Sequence, residues 1–79
     1  MNNIWFFYEC LQRSLGFGSL WLHAHDGTLY FHWHVDRTRY YVLAMKEHEV
    51  LRMAFPEVVA RESAVELREK YRADGGNPS

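Results

Sequence analysis

At 79 residues the chain has room for one domain, and a composition 48% hydrophobic and 16% aromatic sets it apart from a disordered tail. Nine Lys and Arg against ten Asp and Glu leave a formal charge of -1, which excludes both the basic field of a duplex nucleic-acid binder and the strong acidity of a nucleic-acid mimic. The single cysteine, Cys10, excludes an internal disulfide and a cysteine-based zinc cluster, and fits a reduced, partly buried thiol in a cytoplasmic protein.

Met1-Asn2-Asn3 lacks the positive start of a secretory leader. The apolar run Ile4 to Tyr8 is broken by Glu9, Gln12 and Arg13, far short of the roughly 20 apolar residues that span a bilayer, so no membrane partner is expected. A chain this short buries only about 60–65% of the surface it exposes when unfolded, which makes self-association or partner binding an expectation.

In chain order, Ile4, Phe7, Tyr8, Leu11 and Leu15 share one helical stripe, which predicts a helix over about residues 3–15 ended by Gly16 and Gly18. Trp5 and Phe6 fall off that stripe and need either a covering layer or a partner. From Ser19 the period changes to two, and Asp26-Gly27 supplies the favoured two-residue hairpin turn. With that turn at the centre, His25 pairs with Thr28, Ala24 with Leu29, His23 with Tyr30, Leu22 with Phe31, Trp21 with His32 and Leu20 with Trp33. One face then carries Leu20, Leu22, Ala24, Leu29, Phe31, Trp33 and Val35. The other collects Trp21, His23, His25, Tyr30, His32 and His34.

A polar turn over Asp36 to Arg39 leads to a third strand, Tyr40 to Met45. A connection with an even number of residues turns Tyr40, Val42 and Ala44 to the core, whereas a three-residue one turns Tyr41, Leu43 and Met45 there. Val50, Leu51, Ala54 and Phe55 fit the apolar side of a short helix from Glu47, which Pro56 stops or redirects. A last helix follows, with Ser63 and Glu66 in a capping-box pattern, a narrow stripe of Ala60, Ala64, Leu67 and Tyr71, and Gly75-Gly76 at its end. The order predicts an α+β domain over residues 1–74 with a flexible tail over 75–79: an N-terminal helix, a three-stranded antiparallel meander and a C-terminal helical region packed on one sheet face in two layers. The second sheet face is left open.

His23-Ala24-His25 and His32-Trp33-His34 raise metal binding, yet in this register only His23 and His32 are diagonal neighbours, while His25 and His34 are too far apart to share an ion. No structural metal or other cofactor is expected. No nucleophile elbow, phosphate loop or metalloprotease helix is present, and so short a chain has little room for a water-excluding pocket, so no catalytic residue is assigned.

The element order resembles that of double-stranded-RNA-binding domains. Such domains hold phosphates with a Lys-rich cluster at the start of the last helix, where this chain reads Lys46-Glu47-His48-Glu49 and Arg61-Glu62-Ser63. Two weaker alternatives are single-strand stacking on the aromatics, which also needs a basic groove, and a histidine-based metal-binding protein.

The open face favours a small non-catalytic interaction module that binds a larger protein or complex, or pairs with itself. Its expected contact residues are Trp21, His23, Tyr30, His32, His34 and Tyr41, with Arg37 and Arg39 at the rim placed to clamp a carboxylate. Chains of this size without a catalytic motif serve as inhibitors or adaptors, including phage-encoded proteins that block host defence complexes such as CRISPR effectors.

Overall fold

The computed structural model describes residues 2–76, which form α1 (Asn3–Leu15), β1 (Ser19–His25), β2 (Thr28–His34), β3 (Tyr40–Lys46), α2 (Glu47–Leu51) and α3 (Pro56–Ala73). This is the expected α+β order of helix, antiparallel meander and C-terminal helical region, with sheet order β1-β2-β3. Asn2 caps α1, its side chain accepting the Ile4 N–H at 2.8 Å. Gly16 ends the helix in the left-handed region at φ 83°.

The hairpin forms in the register set by Asp26-Gly27. Every expected pair from His25↔Thr28 to Leu20↔Trp33 is present. Asp26 and Gly27 both adopt positive φ, at 49° and 75°, the backbone twist that a two-residue hairpin requires.

The third strand resolves the two alternatives. His34 pairs with Tyr40, so the connection runs from Val35 to Arg39 and has an odd number of residues. Tyr41, Leu43 and Met45 therefore stand opposite Trp33, Phe31 and Leu29 on the helix-covered face. The expectation that Tyr41 lies on the open face is corrected by that parity. Within the loop, Asp36 accepts the backbone N–H groups of Thr38 and Arg39 at 2.8 and 3.0 Å and the Thr38 hydroxyl at 3.0 Å. The backbone and side-chain bonds from Thr38 lead in holding its carboxyl below the usual aspartate value.

Both long helices cover one sheet face. The core joins Phe7, Leu11 and Leu15 of α1 to Leu20, Leu29, Phe31 and Trp33 of the sheet, with Ala60, Ala64, Leu67 and Tyr71 of α3 closing it. Phe7 and Phe31 meet edge to face at 5.3 Å. Leu22 is only half-buried and Ala24 is exposed, so the cover thins toward the hairpin end of β1. Arg68 of α3 donates to the Ser14 carbonyl at the end of α1, tying the helices to each other.

The helical region differs from expectation in two places. Pro56 is the first residue of α3 and is buried, a position where its missing N–H costs nothing, so the helix begins seven residues before Ser63. Ser63 consequently sits buried inside α3 and caps nothing, in line with Ala60 and Ala64. The short helix α2 buries Val50 alone, while Leu51, Ala54 and Phe55 are exposed. At the other end Gly75 takes φ 85° and the Gly76 N–H returns to the Tyr71 carbonyl at 2.9 Å, closing α3. The remainder of the expected tail, residues 77–79, lies outside the described residues. No described helix is long and apolar enough to cross a membrane.

Candidate functional site

The face turned away from the helices is built by alternation. Residues 19, 21, 23 and 25 of β1, the even residues of β2 and the even residues of β3 all point to it. It brings together Trp21, His23, Tyr30, His32 and His34 of the expected set and adds Tyr40, Val42 and Ala44, which the sequence reading did not assign. The signal that could have placed Tyr40 there was the length of the 35–39 connection.

The rings on this face run in a nearly continuous row. His23 lies between Tyr30 and His32 with ring centroids 5.0 Å from each and near-parallel planes. His34 lies near-parallel to His32 at 6.5 Å and to Tyr40 at 5.3 Å. Trp21 closes the row edge-on to His34 at 6.0 Å. One hydrogen bond links the two strands through this row, between His32 Nε2 and His23 Nδ1 at 3.1 Å, with one of the two nitrogens carrying the proton. Partial burial first, and then the positive charges of His23 and His34, hold the His32 imidazole below the usual histidine value.

The two large rings beside His34 are both exposed. Trp21 is 64% and Tyr40 58% exposed, which is unusual for side chains of that apolar area. Apart from its histidines the face carries one charged side chain, Lys46 at its end, whose Nζ lies 3.5 Å from the Thr28 hydroxyl. His25 leaves the row for Asp26, with its Nε2 3.3 Å from the carboxylate.

The remaining expected residues do not join the row. Arg37 is exposed in the loop, and Arg39 instead packs its guanidinium over the Tyr71 ring at 5.7 Å, on the helix side. The two arginines therefore do not form a common clamp at the edge of the open face. Tyr41 donates its hydroxyl to Asp74 at 2.7 Å, joining β3 to the end of α3; partial desolvation, and then that bond, raise its pKa.

Other exposed apolar groups lie away from the sheet. Trp5 is 57% exposed and meets Tyr8 edge-on at 5.6 Å, while Tyr8 donates its hydroxyl to the Leu20 carbonyl of β1. Phe55 is 65% exposed at the turn before α3. A groove of about 320 Å³ between α1 and α3 is lined by Cys10, Arg13, Ser14, Glu57 and Arg61. Among the described residues no three His, Cys, Asp or Glu side chains cluster to hold a metal ion. Comparison with known protein families, characterised proteins and solved structures finds no match to this chain.

Proposed function

We propose that this chain is a small non-catalytic interaction module of the cytoplasm, an inhibitor or adaptor that occupies a surface of a larger protein through its open sheet face. The observation that carries this reading is the exposure of Trp21 and Tyr40, which both pack beside His34 at one end of a row of imidazole and phenol rings. Aromatic side chains are the usual anchors of protein contacts, since they bring large apolar area with few rotatable bonds.

Charge favours a protein over a nucleic acid as the partner. Phosphate binding needs several Lys or Arg beside the stacking rings, and this face has Lys46 alone, at its end. Imidazole and phenol groups instead offer donors and acceptors suited to peptide groups and neutral side chains.

Capture from an extract of the native host tests the assignment, comparing the parent chain with a Trp21→Ala/Tyr40→Ala double variant of equal circular dichroism. A protein held by the parent and lost by the double variant supports the reading. Equal capture by both overturns this face as the contact.

A further inference from the structure

Two of the five histidines are brought into a geometry that a hydrogen bond does not exhaust. His23 stands on β1 and His32 on β2, diagonal across the hairpin, since His23 pairs with Tyr30 and His32 with Trp21. Their nearest ring nitrogens, His23 Nδ1 and His32 Nε2, are 3.1 Å apart. Two nitrogens each about 2.0–2.1 Å from one ion lie about 3.3–3.4 Å apart in a tetrahedral site and about 2.8–3.0 Å apart at a right angle. The observed spacing falls between those two spans.

We propose that His23 Nδ1 and His32 Nε2 form a two-imidazole site for an exchangeable divalent transition ion, with Cu²⁺ the strongest taker and Zn²⁺ or Ni²⁺ weaker. The inference is independent of the protein-contact reading above. Imidazole nitrogen favours these borderline ions, and no Asp, Glu or backbone loop is present on the ring row to suit Mg²⁺ or Ca²⁺. Cu²⁺ heads the affinity order for such ligands.

The support is rigid. Both histidines sit on paired strands joined by a two-residue turn, so their backbone positions are already fixed and no loop has to be ordered on binding. Tyr30 and His34 flank the pair on either side, and a modest pivot of the two rings turns the facing nitrogens from each other toward a common ion.

Binding needs a free lone pair on both facing nitrogens. In the neutral pair one of those nitrogens carries a proton, and that proton moves to the other nitrogen of the same ring, so the ion replaces the N–H···N bond without net proton release. Water, or a donor group from outside the chain, fills the remaining positions. With two protein ligands the ion exchanges readily, which distinguishes this site from a structural zinc centre.

Titration of untagged full-length protein with Cu²⁺ at neutral pH, followed by calorimetry and electron paramagnetic resonance, tests the site. The expected result is about one equivalent bound with two imidazole nitrogens in the spectrum. Even an outer partner of a metal ligand is worth ~10–100-fold in affinity, so His23→Ala and His32→Ala should each weaken binding by roughly tenfold or more. His25→Ala and His48→Ala leave it unchanged. His23→Phe keeps a flat ring between Tyr30 and His32 while removing both nitrogens, and must lose the ion with the fold intact. Absence of Cu²⁺ binding, binding that survives His23→Phe, or binding that follows His25 or His48 overturns the proposal.

Discussion

The indole N–H of Trp33 donates to the carbonyl of Phe17 at 2.8 Å, and the two rings meet edge to face at 5.3 Å. This pairing seats the connection between α1 and β1 against the fully buried Trp33. Gly18 lies inside it. A Cβ there would fall 2.7 Å from the indole nitrogen and 2.8 Å from the His34 carbonyl, and its φ of 80° is in the left-handed region.

Gly18→Ala should therefore destabilise more than Gly16→Ala. Gly16 has a similar φ of 83° but nothing within 4 Å of an added Cβ, so it isolates the backbone cost of about 1–2 kcal/mol. Gly18→Ala adds the steric clash and should reach roughly 2–4 kcal/mol. Urea unfolding of the two variants is the measurement, and equal midpoints would show that Trp33 yields without cost.

Phe31→Ala should cost about 3–5 kcal/mol, because Phe31 is fully buried and packed edge-on against Phe7. In a domain with so small a core this approaches the whole stability. Thermal unfolding followed by circular dichroism reads the loss. A melting point within a few degrees of the parent would contradict the assignment of the strand faces.

Trp21→Ala and Tyr40→Ala should each change stability by less than about 0.5 kcal/mol, since both rings are largely exposed. The same substitutions should weaken partner binding by more than about 1 kcal/mol each if they act as anchors. Tyr41→Phe is the matched control on the opposite face, where the lost hydroxyl bond to Asp74 leaves binding unaffected.

Acid should destabilise the fold through His32. In the folded chain its pKa lies below the ordinary 6.5, mainly through burial and then through His23 and His34, with Tyr30 and Tyr40 the other titratable rings beside it. Above pH 6.5 the ring is neutral in both folded and unfolded chains, and the stability is fully present. As pH falls below 6.5 the unfolded chain takes up the proton first, so stability drops until the pH passes the lowered folded value. Melting temperatures from pH 7.5 to 5 should fall more steeply for the parent than for His32→Gln. Parallel curves would remove His32 as the source.

Local chemistry made the hairpin legible. Asp26-Gly27 fixes a turn of two residues, and strict alternation on either side then determines every partner from Ser19 to His34. The third strand was not legible in the same way, because Tyr40 to Met45 is apolar on both faces and its orientation depends on where pairing begins after Val35. Ser63 misled for a related reason. Its spacing to Glu66 imitates a cap, whereas the residue that opens α3 is Pro56, and Ser63 falls on the buried side of α3, near Leu43 and Met45 of β3. Trp21, His23, Tyr30, His32 and His34 followed from the hairpin register, but the engagement of Arg39 by Tyr71 depends on a contact between residues 32 positions apart that no local pattern encodes.

The five-residue span from Val35 to Arg39 has a consequence for how this surface changes by insertion or deletion. Removing one residue from that span, with the five-residue loop kept at the expense of β3, would pair His34 with Tyr41, shift β3 by one position and exchange its two sides. Tyr41, Leu43 and Met45 would then join the histidine row, and Tyr40, Val42 and Ala44 would meet the helices. The outward chemistry of a third of the sheet is thus governed by chain length at a polar turn, and a single-codon change there would replace three contact side chains together without altering any of them.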